Sequence, residues 1–178
     1  MKFLPLVTLI VFCSSLALSQ SAGIDIGQRA PGFTLAYATK DSVARIPLSL
    51  AKLVGTKTIL LAFYPADWSP GCTREVCSFR DNFIDLQSLD AEVLGISGDY
   101  VWSHHEWAKH HDLPFRLFSD HDHAVAKTYE SYNEKSGMNR RTVFVIDRNG
   151  IIRYRNLQYS VADSKDFERL KEELTKVR

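Results

Sequence analysis

Net charge is nearly absent from this chain: 22 Lys and Arg stand against 21 Asp and Glu. Binding to nucleic acid through a basic patch therefore gains no support. Internal repeats and low-complexity segments are also missing, which leaves a single globular domain. With 178 residues and 45% hydrophobic content, the chain can bury a sizeable core. The six histidines all fall between His104 and His123, but they lack metal-ligand spacing. His105-Glu106-Trp107-Ala108-Lys109-His110 misses the His-Glu-x-x-His zinc motif by one residue, and no two of His104, His105, His110 and His111 are three or four apart. His121 and His123 on a loop come nearest to a metal site. A polar surface accounts better for the group, and no metal or other cofactor is expected.

Cysteine is scarce, with three in all, and Cys13 lies in an N-terminal leader. Residues 1–22 carry Lys2, an apolar run through Leu18 and then small residues, the pattern of a secretory signal peptide cleaved near Ser19 to Ala22. The apolar part is short for a membrane span, and Phe12 does not suit lipoprotein cleavage before Cys13. A domain over 23–178 with no stable membrane association is expected once the leader is removed. Loss of Lys2 makes that mature chain formally neutral. Export leads to the periplasm, secretion or an endomembrane or plastid route, depending on the organism. In an exported chain, the remaining pair, Cys72 and Cys77, also suits a permanent structural bridge.

What the sequence does carry is Pro65-Ala66-Asp67-Trp68-Ser69-Pro70-Gly71-Cys72-Thr73-Arg74-Glu75-Val76-Cys77. The apolar run Thr58 to Tyr64 before it reads as a buried strand stopped by Pro65. Ser69 suits a helix N-cap and Pro70 the first helical position, so Cys72 falls in the first turn. Unpaired N–H groups and the positive end of the helix dipole favour an anion there, and a thiolate is the anion available. Cys72, Val76, Phe79, Phe83 and Leu86 share one face at helical spacing. Cys77 lies about 140° further round, beside Arg80 and Asp81. In an ideal helix the two Cα atoms stand roughly 8 to 9 Å apart, beyond the roughly 7 Å within which a disulfide closes without backbone movement. Joining them requires local unwinding.

Elsewhere the chain alternates strand and helix patterns, which indicates an α/β sheet. Extended segments lie near Phe33-Thr34-Leu35 and Ile46-Pro47-Leu48. A strand over 93–97 leads to a helix from about Val101 to His111, and another helix follows near Ala124 to Tyr129. Arg141 to Asp147 and Ile151 to Arg155 flank Asp147-Arg148-Asn149-Gly150 and read as a hairpin, so the sheet is mixed. Phe167, Leu170, Leu174 and Val177 stripe a final helix that covers the sheet.

The run Pro-x-x-x-Ser-x-x-Cys ending at Cys72 resembles the active-site motif of peroxiredoxins. Its extension Pro-Gly-Cys-Thr-x-Glu-x-Cys resembles the branch called peroxiredoxin Q or bacterioferritin comigratory protein. Ile26 to Leu35, Leu94 to Ser97, Leu117 to Asp120 and Arg141 to Asp147 are similar to further segments of that family in the same order. The resemblance implies a thioredoxin-like α/β fold: a central mixed sheet flanked by helices, with an N-terminal extended hairpin. It also implies reduction of hydrogen peroxide and organic hydroperoxides, with Cys72 as the peroxidatic and Cys77 as the resolving cysteine. Pro65, Ser69 and Arg141 complete the implied site. A thioredoxin or thioredoxin-like reductant is the implied partner, and a monomer is expected because no partner-subunit cysteine is needed.

Each implied role has a physical reason. Cleaving a peroxide O–O bond needs an in-line thiolate and a donor for the leaving oxygen. Ser69, the first-turn N–H groups and the Arg141 guanidinium can orient the peroxide and bind that charge, while Pro65 excludes water and fixes the loop. Arg140 competes with Arg141, because alternate strand residues face opposite ways, and the resemblance selects Arg141. Glu75 either pairs with that arginine or is a solvated first-turn residue, and Trp68 is either an apolar lid or an exposed contact for the reductant. Two other functions remain open, namely a non-catalytic, disulfide-stapled binding domain and a protein dithiol–disulfide oxidoreductase. The latter normally carries Cys-x-x-Cys, whereas this chain has Cys-x-x-x-x-Cys.

Overall fold

The protein is described from a computed structural model covering residues 24–177. The expected signal peptide over 1–22, with Cys13, lies outside the described residues. Within them, a seven-stranded sheet runs in the order β2-β1-β5-β4-β3-β8-β9. Its strands are β1 (Thr34–Ala38), β2 (Leu48–Ser49), β3 (Thr58–Phe63), β4 (Ala91–Ser97), β5 (Arg116–Ser119), β8 (Thr142–Ile146) and β9 (Ile152–Asn156). β6 (Tyr132–Asn133) and β7 (Met138–Asn139) form a small separate ribbon, which the sequence patterns do not announce.

The sheet is mixed, as the hairpin around Asp147-Arg148-Asn149-Gly150 predicts. β3, β4 and β5 run parallel, while β1 pairs antiparallel with β5 and β2, and β8 with β3 and β9. The β1–β2 pair is the N-terminal hairpin. The β8–β9 turn has Gly150 at φ 77°, the left-handed region in which glycine carries no side-chain penalty.

All six residues of β3 are buried, and their alternation divides the core in two. Leu60 and Ala62, with Tyr64 just beyond the strand, face one layer; Ile59, Leu61 and Phe63 face the other. The first layer is covered by α1 (Pro70–Asp81), α2 (Phe83–Ser88), α3 (Val101–His110) and α5 (Ser164–Lys176) through Cys72, Val76, Leu86, Trp107, Leu170 and Leu174. The second is covered by α4 (Ala124–Thr128) and the N-terminal segment, through Ala126, Phe33 and Leu50. Each fully buried large side chain stabilises the fold by roughly 1.5–3 kcal/mol. A continuous apolar run in β3 is thus the sequence of a strand covered on both faces.

The apolar stripe from Cys72 to Leu86 does not lie on one helix. Asn82 adopts φ −102° and ψ 16° and separates α1 from α2. Its side-chain amide donates to the Ser78 carbonyl at 2.9 Å, a local bond of the kind that competes with continued helix. Leu86 remains buried, while Phe83 packs at the margin of the core. Among the described residues, no helix is long and apolar enough to cross a membrane.

Candidate active site

β3 ends at Phe63, and the loop Tyr64–Ser69 delivers the chain to α1. Ser69 is the N-cap and Pro70 occupies the first turn; the Ser69 hydroxyl accepts from the Cys72 N–H at 3.4 Å. These local preferences place Cys72 at the helix head, and the stripe behind it draws the side chain inward. Cys72 is 0% exposed. Cys77 is half-buried on the same helix, and both residues are free thiols. Burial pushes the Cys77 thiol up, with Arg80 opposing the shift and Asp81 adding to it.

Arg141 reaches this sulfur from a distant part of the chain, donating through Nη2 to Cys72 Sγ at 3.6 Å. Its backbone carbonyl accepts from the Tyr159 N–H at 3.1 Å, fixing the residue just before β8. Neither Arg140 nor Arg141 lies within β8; Arg140 is exposed, and its N–H donates to the Ser131 carbonyl. Of the two arginines, the structure brings Arg141 to Cys72.

Glu75 is not a solvated first-turn residue. It is buried and ion-paired through Oε2 with Arg141 Nη1, while Oε1 has no hydrogen-bond partner among the described residues. Burial pushes its carboxyl up to about 7 against the opposing pull of Arg141. Burial alone would disfavour the Arg141 charge, but Glu75 and Cys72 outweigh it and raise its pKa. Cys72, Ser69, Glu75 and Arg141 therefore form one connected group. Pro65 is half-buried in the loop between β3 and α1. Trp68 is 51% exposed, and its indole packs near the rings of His110 and His111.

Three features of the site were not singled out from the sequence. A Cβ on Gly71 would stand 2.9 Å from Arg141 Nη2, so glycine is what lets the guanidinium lie over the first turn. Tyr159 is buried against Phe79, and burial and then the Glu75 charge raise its pKa. His104 is fully buried and bonded to Asp67, which corrects the expectation that the histidines mark a polar surface. Its spacing with Trp107 and Ala108 on the inner face of α3 was the available signal. Among the described residues, no group of three or more His, Cys, Asp and Glu side chains is arranged to hold a metal ion.

A buried thiol heads the helix that leaves a central strand, with an arginine on its sulfur, in a protein of the thioredoxin-like fold. Residues 26–155 match the AhpC/TSA family, and the chain belongs to that family. It is similar to peroxiredoxin Q, chloroplastic, of Sedum lineare, with 41% identity over 132 residues that cover 74% of this chain and 68% of the relative. Similarity to the putative peroxiredoxin bcp of Coxiella burnetii is 41% over 135 residues, covering 72% and 85% of the two chains. The match to peroxiredoxin Q, chloroplastic, of Oryza sativa subsp. japonica is 40% identical over 129 residues and spans 57% of that longer protein. Peroxidoxin BcpB from Mycobacterium tuberculosis has the same fold, with a TM-score of 0.75, 26% identity and coverage of 87% of this chain and 99% of its own. The family and the peroxiredoxin Q and bcp likeness thus agree with the motif around Cys72.

Proposed function

We infer that the chain is a thiol-dependent peroxidase acting on hydrogen peroxide and organic hydroperoxides. The observation that carries this reading is the Arg141 guanidinium 3.6 Å from a fully buried Cys72 sulfur at a capped helix head. In this reading the Cys72 thiolate attacks one peroxide oxygen, the S–O bond forms as the O–O bond breaks, and the electron pair leaves on the distal oxygen. Arg141 and the first-turn N–H groups hold that developing charge, and a proton completes the alcohol or water. Ser69 orients the peroxide, Pro65 keeps water from the sulfur, and Glu75 fixes the direction of Arg141.

Cys77 then resolves the sulfenic acid to an intramolecular disulfide, the atypical two-cysteine scheme. A thioredoxin-like dithiol regenerates both thiols by exchange at an exposed sulfur. The chain acts as a monomer over residues 23–178, after export directed by the signal peptide over 1–22.

Stopped-flow Trp fluorescence of the reduced protein mixed with hydrogen peroxide, followed by mass spectrometry of its thiols, tests the reading. The expected result is a rapid one-equivalent change ending in a Cys72–Cys77 disulfide. Slow, unselective oxidation of both thiols would instead indicate a non-catalytic binding domain.

A further inference from the structure

Asp67, in the loop that leads to Cys72, is a buried carboxylate with no role in the proposed chemistry. Its Oδ1 accepts from the Tyr64 hydroxyl at 2.9 Å and its Oδ2 from the Ser103 hydroxyl at 2.7 Å. His104 Nδ1 stands 2.9 Å from Oδ2, and both side chains are 0% exposed. The other ring nitrogen, Nε2, lies 3.1 Å from the Phe118 carbonyl. A carbonyl only accepts, so Nε2 donates to the sheet while Nδ1 faces the loop carboxylate. The Asp67 N–H donates to Asp99 at 2.8 Å, so backbone and side chain are both held. Removing one partner of such a buried pair leaves the other uncompensated.

The next residue explains what this anchoring does. Trp68 has φ 61°, a conformation a bulky residue keeps only where its surroundings enforce it. Its indole N–H donates to the same Ser103 hydroxyl at 3.3 Å. Ser69, the cap of α1, follows directly. A sprung residue thus sits between a fixed Asp67 and the first turn that carries Cys72.

We propose that Asp67, Ser103 and His104 are positioning residues that latch this loop to α3, and that the latch sets how often the first turn of α1 unwinds to bring Cys72 to Cys77. This inference rests on the thiol-peroxidase reading. In the resolving step the Cys72–Cys77 S–S bond forms, the sulfenic S–O bond breaks, and the hydroxyl leaves as water with the Cys77 proton. The buried Cys72 meets Cys77 only through the unwound turn, so the rate of this step follows the population of that state.

The test uses stopped-flow traces of Ser103→Ala, Asp67→Asn and His104→Gln. The first phase scales with hydrogen peroxide concentration, whereas the second, disulfide-forming phase does not. The expected result is a second phase faster by roughly tenfold, with the first phase changed by less than about twofold because the wound state still dominates. The peroxide concentration that half-inactivates through sulfinic acid should rise in step. A lowered Tm with an unchanged or slower second phase would overturn the latch. Ser103→Ala removes only a hydroxyl and keeps the test decisive should the other two variants fail to fold. A second readout is independent of peroxide: a dithiodipyridine should label Cys72 roughly tenfold faster when Ser103→Ala is added to Cys77→Ser. If the unaltered protein shows no peroxide-dependent phase, the peroxidase reading fails by itself, and the labelling rate still decides the latch.

Discussion

Arg141 donates to the Cys72 sulfur at 3.6 Å across a sequence separation of 69 residues. Sheet register brings them together: Thr142, the first residue of β8, pairs with Phe63, the last of β3. The residue before β8 and the loop after β3 thus meet at the same end of two neighbouring strands inside the sheet. The helix that begins in that loop carries the thiol.

Arg141→Ala should slow the peroxide-dependent phase by roughly two to three orders of magnitude, the effect of removing a donor aimed at developing charge. The second-order rate constant from stopped-flow measurements is the check. An unchanged constant would remove Arg141 from the proposed chemistry.

Gly71→Ala tests the space over the first turn. A Cβ there would meet Arg141 Nη2 at 2.9 Å, and the flexible end of the arginine would move rather than the backbone. The peroxide phase should slow by roughly 10- to 100-fold. Thermal stability should hold or rise, since alanine is the better helix former. A loss of stability without a loss of rate would contradict this account.

Glu75 predicts a pH-dependent stability. Its carboxyl is raised from 4.5 to about 7 in the folded protein, so between those values the native state holds more protons than the unfolded state. Stability contributed by the neutral form is present below about 4.5 and is lost as pH rises towards 7. The difference across that window is on the order of 3 kcal/mol. Glu75→Gln should abolish this slope, although it also loses the ion pair with Arg141. Denaturant unfolding of both proteins from pH 4 to 8 measures it, and parallel curves would show that Glu75 stays ionised.

Replacing each cysteine in turn tests the two proposed steps separately. Cys72→Ser should have no turnover. Cys77→Ser should consume one equivalent of peroxide and accumulate sulfenic acid, detectable by a dimedone adduct and mass spectrometry. Full steady-state activity of Cys77→Ser with thioredoxin would remove Cys77 from the resolving role.

Wherever an element is dictated by neighbours in the chain, the sequence announces it. Ser69 and Pro70 start α1, the unbroken apolar run marks β3, and Asn149-Gly150 turns β8 into β9. Each acts within a few residues, through capping, two-sided burial or a left-handed φ. The break at Asn82 was less legible, because the apolar stripe continues across it and the only local mark is the non-helical backbone of Asn82, whose side chain bonds back to Ser78.

The place of Cys72 in the first turn, that of Cys77 five residues on in the same helix, and the capped turn that seats the thiol were determined by the sequence alone, since a helix start is a local decision. Which arginine meets the sulfur, and whether Glu75 faces water or a guanidinium, depended on the register of β3 against β8 and on the depth of α1 in the core. The same holds for His104, whose spacing on α3 marks an inward face but not the loop carboxylate it meets. Those outcomes belong to the tertiary structure, because buried charges and their partners are set by contacts between segments far apart in the chain.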